Sequence, residues 1–406
     1  MSSVNICNAS NGVGDSAETP LGTSPQDVLR NTHQKKSGLK VAAKLRYKNN
    51  GIRRAKKDHQ DKYSNPFQET HETVTPPPPF LLAVQSRRSL DEFQYLNKIA
   101  EGTYGAVFRA RDEKKNEVVA LKQILTDNYN EGLYIAAMRE LKILLKIQHP
   151  NIVAGREIVV GTDIEDVFVV MEYVPHDLRS YMDTMRKEGQ IFSPNHVKCL
   201  MTQLLCAVQH LHQNWILHRD LKLSNILLSY KGVLKLADFG LAREYELPPR
   251  QYTPGIVTIW YRAPELLLLS DEYSTPIDMW SVGCIFAELI TMRPLFPGRS
   301  EMDQINKIFE GLGTPTDATW PGFSELPVDS ITFKKHPTGG LREKINSNLL
   351  SEDGMSLLQD FLLYDPARRM TADAALDHAY FKEQPLAIEP ARFPMWPAKS
   401  QMQLSP

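Results

Sequence analysis

Between residues 93 and 177 the chain changes its hydrophobic period, and that change limits the folds open to it. Short β-rich runs come first, Phe93 to Ile99, Gly105 to Arg109 and Glu117 to Leu125, separated by glycine and charged turns as in an antiparallel sheet. Residues 132–147 then place Ile135, Met138, Leu141, Leu144 and Leu145 at helical spacing, and His149-Pro150-Asn151 stops that helix. Two more strand-like runs follow, Ile152 to Val160 and Val167 to Tyr173. From about residue 177 long helical stretches dominate, notably Asn195–Gln213, Pro276–Thr291 and Met302–Leu312. The expected fold is α+β and bilobal: a small β-rich N-lobe over 93–173, a larger helical C-lobe over 177–381, and a C-terminal extension over 382–406. Ligands favour the crevice between two such lobes. No internal repeat is present.

The segment ahead of this, residues 1–87, reads as a disordered basic tail. Residues 1–34 are rich in Ser, Asn, Thr and Gly with no apolar period, so they cannot bury enough to fold. From Lys35 to Lys57 there are 10 Lys/Arg and no acid. The pairs and clusters Lys35-Lys36 and Arg53-Arg54-Ala55-Lys56-Lys57 point to nuclear import, with a solvated linker as the plainer reading. The run Thr75-Pro76-Pro77-Pro78-Pro79 is a stiff polyproline spacer, and order begins near Arg88 to Phe93. Residues 1–86 hold 12 basic and 7 acidic side chains, so the net charge of −1 for the whole chain conceals a basic tail before a mildly acidic body. Four scattered cysteines, with no CxxC pair, exclude a disulfide framework or zinc site and suit a reduced, intracellular protein. No run of about 18 apolar residues occurs, so no membrane span is expected.

Between the first two predicted strands lies Ile99-Ala100-Glu101-Gly102-Thr103-Tyr104-Gly105-Ala106-Val107. Glycines there let the backbone approach phosphate oxygens, although the first glycine of a GxGxxG loop is replaced by Ala100. Lys122, in Val119-Ala120-Leu121-Lys122, suits a point-charge contact to two phosphates. Eighteen residues on, Glu140 stands in the predicted helix, where its carboxylate can pair with Lys122 and hold it. The decisive segment is His218-Arg219-Asp220-Leu221-Lys222-Leu223-Ser224-Asn225. In this HRDxxxxN spacing Asp220 accepts or orients the substrate hydroxyl proton and Asn225 holds magnesium. Asp238-Phe239-Gly240 supplies a second magnesium carboxylate, and Ala263-Pro264-Glu265 closes the set.

In this order the motifs resemble the eukaryotic protein kinases, from Phe93 to Phe381. Lys222 has the Ser/Thr-kinase form and would bridge Asp220 and the transferring phosphoryl group. The stretches Trp260-Tyr261-Arg262-Ala263-Pro264-Glu265 and Tyr273-Ser274-Thr275-Pro276-Ile277-Asp278-Met279-Trp280 are similar to the cyclin-dependent kinases. Arg262 in that setting implies proline after the phosphoacceptor. The mitogen-activated kinases carry Thr-x-Tyr in the activation segment, but here the run is Gln251-Tyr252-Thr253-Pro254-Gly255. Arg156-Glu157-Ile158-Val159-Val160-Gly161, Asn214-Trp215-Ile216-Leu217 and Phe393-Pro394-Met395-Trp396-Pro397-Ala398-Lys399-Ser400 resemble the PITSLRE branch. The helix that names that branch reads Tyr134-Ile135-Ala136-Ala137-Met138-Arg139-Glu140 here, keeping only Arg-Glu and leaving the choice of cyclin in question.

The resemblance implies ATP and Mg2+ as cofactors. Adenine would sit under Ile99, Val107 and Ala120 and over Leu227, with hinge contacts at Glu172 and Val174, Met171 as gatekeeper and Asp177 at the ribose. Lys122 would hold the α- and β-phosphates, and Asn225 and Asp238 the metal. It also implies activation by phosphorylation of Thr253, whose phosphate Arg139, Arg219 and Arg243 would receive, and inhibition through Thr103 and Tyr104. Asp278 would brace the HRD backbone, and Glu265 would pair with Arg369. The partners implied are a cyclin of the L type, an activating kinase for Thr253 and Ser/Thr-Pro protein substrates. The setting implied is transcription, RNA processing or cell-cycle control, in the nucleus with the cytoplasm as second compartment. Two other readings stay open: a catalytically weak kinase-fold scaffold, which degraded Lys, HRD or DFG residues would favour, and nucleic-acid binding by the tail, where only Tyr47 and Tyr63 are available for stacking.

Overall fold

The computed structural model describes residues 88–102, 105–124, 131–161, 167–244, 258–268, 274–326, 333–346 and 348–394. The basic tail, Thr103, Tyr104, Thr253 and residues 395–406 lie outside the described residues, as do the side chains of 131–137, Arg139, Arg243 and Glu244.

Five antiparallel strands open the described fold: β1 (Phe93–Gly102), β2 (Gly105–Asp112), β3 (Glu117–Ile124), β4 (Gly155–Val160) and β5 (Val167–Glu172), in the order β1-β2-β3-β5-β4. The central strand β3 is apolar on both faces for a physical reason. Its alternate residues serve two cores. Val119 and Leu121 pack with Phe93, Ala110, Val159, Phe168 and Val170. Ala120 and Ile124 face the other way, into a core shared with the helices. The helix α1 (Glu131–Lys146) buries Leu141, Ile143 and Leu144 there. At the edge of the sheet Arg88 clips β1 to β2, its guanidinium donating to both oxygens of Asp112 at 2.7 and 2.8 Å.

The strand-like run from Ile152 is shorter than expected, and the reason lies in its hydrogen bonds. Asn151 and Val153 exchange backbone bonds with Leu236 instead, at 2.8 and 2.9 Å, so β4 starts only at Gly155. The run Ile152–Val160 thus serves two sheets.

Helices build the remainder: α2 (Leu178–Lys187), α3 (Pro194–Gln213), α4 (Pro264–Leu267), α5 (Pro276–Thr291), α6 (Glu301–Leu312), α7 (Gly340–Lys344), α8 (Glu352–Phe361) and α9 (Ala372–Leu376). Proline at the first turn of α3, α4 and α5 sets φ where an N–H has no helical partner. Every residue of α5 from Ile277 to Ile290 is buried, which makes it the axis of this lobe. The three expected helices are present, α3 and α6 each beginning one residue earlier than their patterns suggest. The sequence pattern does not disclose a small sheet of β6 (His176–Asp177), β8 (Ile226–Leu228) and β9 (Leu234–Leu236), nor the pair β7 (Ile216–Leu217) and β10 (Arg243–Glu244). Strands of two or three residues are too short to carry an alternation. Among the described residues no helix is long and apolar enough to cross a membrane.

Candidate active site

The glycine loop joins β1 to β2, with Ala100 opposite Val107, Glu101 opposite Ala106 and Gly102 opposite Gly105. Gly105 is the position where only glycine fits. Its φ is +131°, and a Cβ there would lie 2.2 Å from the carbonyl oxygen of Gln123. Ala100 is an exposed strand residue and is not among those with positive φ, so the alanine strains nothing. Glu101 pairs with Lys98 at 2.6 Å.

Beneath this loop β2 and β3 pair Val107 with Lys122, which brings a buried ammonium under the glycines. Lys122 donates to Glu140 on α1 and, at 3.1 Å, to Oδ1 of Asp238. The residues are 18 and 116 positions apart in the chain, so only tertiary packing joins them. Burial alone would lower the Lys122 pKa, but the two carboxylates outweigh it and the net direction is upward. The same ammonium turns the Asp238 pKa downward against burial, and the lysine stays charged between two acids. Phe239, beside Asp238, is buried against the His218 ring at 5.1 Å.

The HRD segment follows β7 and delivers Asp220, Lys222 and Asn225 to one point. Lys222 Nζ donates to Oδ2 of Asp220 at 2.6 Å, and Asn225 Nδ2 donates to the same oxygen at 3.1 Å. Burial pushes the Asp220 pKa up, Lys222 opposing it, and the net direction is upward. Arg219 is held at φ +69° and Asp238 at +65°, conformations that cost ordinary residues about 1–3 kcal/mol each. Asp278 on α5 holds the first of them. Its oxygens accept the backbone N–H of His218 at 2.9 Å and of Arg219 at 2.8 Å, while His212 reaches it at 3.0 Å. Asp278→Asn keeps the volume but sets an NH2 against one of these buried donors. The expected loss is about 2–3 kcal/mol of unfolding free energy, measurable by urea titration, and an unshifted midpoint would rule the brace out.

Among the residues expected around adenine, Ala120 lies opposite Met171, and next to it Val119 lies opposite Glu172 in the β3–β5 register. Ile99 is partly exposed, and Val107, Val174 and Leu227 are half-buried against the core. Two expected contacts have a further duty. The Asp177 carboxylate accepts the N–H of Ser180 at 2.7 Å and caps α2. The Glu172 side chain accepts from Ala154 N at 2.8 Å and Lys235 Nζ at 2.7 Å, while its own backbone N–H donates to the Ala154 carbonyl at 3.1 Å. Lys235 and His212 are site-supporting residues that sequence reasoning missed, since neither stands in a motif. Of the three arginines expected around a phosphothreonine, Arg219 is placed by its backbone, while the side chains of Arg139 and Arg243, with Thr253 itself, fall outside the described residues.

Glu265, on α4, and Arg369 form a fully buried bidentate pair, at 2.6 and 3.1 Å. The remaining N–H groups of Arg369 go to the carbonyls of Leu363, Pro276 and Tyr364.

Residues 93–381 match the family model of the protein kinase domain. The chain belongs to the protein kinase family. Within it, the chain is similar to the PITSLRE kinases. It is 57% identical over 80% of its length to human Cyclin-dependent kinase 11B, and 56% identical over 80% to Drosophila melanogaster Serine/threonine-protein kinase PITSLRE. The match to rat Cyclin-dependent kinase 11B, 56% identical, covers 74% of that relative. The chain spans 41% of the human relative's length and 35% of the fly one's. The two clusters lie near enough to act on each other: the Asp238 carboxylate acts electrostatically on Asp220, and the Lys222 ammonium on Asp238.

Proposed function

We propose that this chain is an ATP-dependent, cyclin-activated, proline-directed protein serine/threonine kinase. The observation that carries the reading is the junction of two clusters: Lys122 tied to Glu140 and Asp238, and Asp220 tied to Lys222 and Asn225. Phosphoryl transfer is mostly positioning and charge stabilisation, and both clusters supply that. Asp220 offers its carboxylate to the hydroxyl of the substrate. Lys222, on the same oxygen, stands ready for the charge of the transferring group. Asn225 spends its N–H on Asp220, which leaves Oδ1 for a cation, and Asp238 keeps one oxygen beyond Lys122. Two hard oxygens suit Mg2+, which Asn225 and Asp238 would hold and which would neutralise charge on the nucleotide. The intact lysine, HRD and DFG residues favour an enzyme over a scaffold.

The finer reading rests on sequence likeness. Arg262 supports a preference for proline after the phosphoacceptor; its guanidinium donates to Glu301 at 3.0 Å. The relatives are named cyclin-dependent kinases, which supports a cyclin partner, with an L-type cyclin as our proposal. Activation through phosphate on Thr253 by a separate kinase, inhibition through Thr103 and Tyr104, and nuclear import through Lys35 to Lys57 belong to the same proposal, as do roles in transcription, RNA processing or the cell cycle.

The test is phosphate transfer to a Ser-Pro peptide and its Ser-Ala twin, with and without co-expressed L-type cyclin and with Asp220→Asn as blank. Activity confined to the Ser-Pro peptide and dependent on the cyclin is expected. Equal transfer to both peptides would refute proline direction, and no transfer above the blank with cyclin bound and Thr253 phosphorylated would favour the scaffold.

A further inference from the structure

Three residues around the nucleotide position come from three strands and stand in one row. Asp177 on β6 is opposite Leu227 on β8, and Leu227 is opposite Lys235 on β9. Cross-strand partners share a face of their sheet, so these side chains shift together. Lys235 carries the row to the hinge through its 2.7 Å bond to Glu172. Yet the strands have only two or three residues each. Ladders that short hold a position poorly by themselves.

The far end of this sheet is gripped by the C-terminal segment. The β8–β9 turn is closed by Ser229, whose N–H donates to the Val233 carbonyl at 2.9 Å. Within it Gly232 has φ +68°, and a Cβ there would lie 1.9 Å from the Pro390 carbonyl oxygen and 2.7 Å from Phe393 Cβ. Phe393 is buried, its ring 5.8 Å from Phe192 and 5.1 Å from His196, and the Tyr181 hydroxyl donates to the Pro394 carbonyl. The other end of the segment is anchored as firmly. Lys198 on α3 is buried, donates to the carbonyls of Glu383 and Pro385 at 2.8 and 2.9 Å, and lies 4.7 Å from the Tyr380 ring centre. Burying an ammonium is costly unless it is fully paired, so this segment completes the lobe.

We propose that residues 382–394 are a working part of the nucleotide site: by gripping the β8–β9 turn they set the position of Leu227 and Lys235 and, through Lys235, of the hinge residue Glu172. The inference rests on the kinase reading and deepens it, assigning Phe393 and Lys235 as positioning residues. Neither touches the reacting atoms. They act on nucleotide binding through one shared element.

The experiment measures affinity of the full chain for a fluorescent ADP analogue with Mg2+. Phe393→Ala and Lys235→Met are each expected to weaken binding about tenfold, and Lys235→Arg to restore it. The double variant should be no more than about twofold weaker than the stronger single, because both act through the same hairpin. Should Phe393→Ala fail to fold, Phe393→Leu takes its place, with an expected weakening of about threefold. Parental affinity in the Phe393 variant, or effects that multiply in the double, would overturn the proposal while leaving the kinase reading intact. No nucleotide binding by the parent chain would overturn both.

Discussion

Replacing Asp220 with Asn is expected to lower phosphate transfer about 10³-fold while leaving nucleotide affinity within about twofold. On the proposed mechanism the carboxylate takes the hydroxyl proton; Lys222 and Asn225 both donate to its Oδ2, an acceptor that an asparagine amide oxygen can supply in its place. Because burial raises the Asp220 pKa, the acid limb of the rate profile should lie above the ordinary aspartate value of about 3.9. In the proposed role the active form is the deprotonated carboxylate, so the rate rises as pH passes upward through that pKa. Lys222→Met removes the charge that opposes burial and should move the limb higher still. Steady-state kinetics across pH decide both points, and an acid limb unmoved by Lys222→Met would assign it to another group.

The second large effect is on stability. Arg369→Met leaves the Glu265 carboxylate buried and unpaired, with three carbonyls deprived of donors, and is expected to cost about 3–5 kcal/mol. The double variant Glu265→Leu/Arg369→Met should recover a large share of that loss, since a buried pair is worth little more than apolar groups that fill its volume. Chemical denaturation of the three proteins gives the comparison. A double variant as unstable as the single would mean that the carbonyl contacts, and not the charge of Glu265, dominate. The pair joins α4 to the first turn of α5 and to Leu363 beyond α8, so activity should fall with stability in the single variant.

The parts of the site that were readable from sequence are those whose spacing is local. Asp220, Lys222 and Asn225 stand within six residues, so one irregular loop brings them together whatever surrounds it. The five-stranded sheet and the long helices were also readable, because runs such as Glu117–Ile124 and Pro276–Thr291 are long enough to show a period or a continuous apolar face. What was not readable is the set of contacts made by side chains outside any motif. His212 and Lys235 carry no distinguishing pattern, and Lys198 reads as a surface lysine on a helix until the C-terminal segment is seen to cover it.

By itself, then, the sequence determined the candidate reacting groups and the order of the two lobes, because chemistry demands particular side chains and periodicity demands particular elements. Tertiary structure alone decided which charges meet. Lys122 meets Asp238 across 116 residues, Asp278 reaches the HRD backbone across about 60, and Gly232 lies against Pro390 and Phe393. Such meetings depend on how helices and strands pack in three dimensions, where burial fixes a buried ion's partner by proximity and desolvation; separation along the chain carries no record of either.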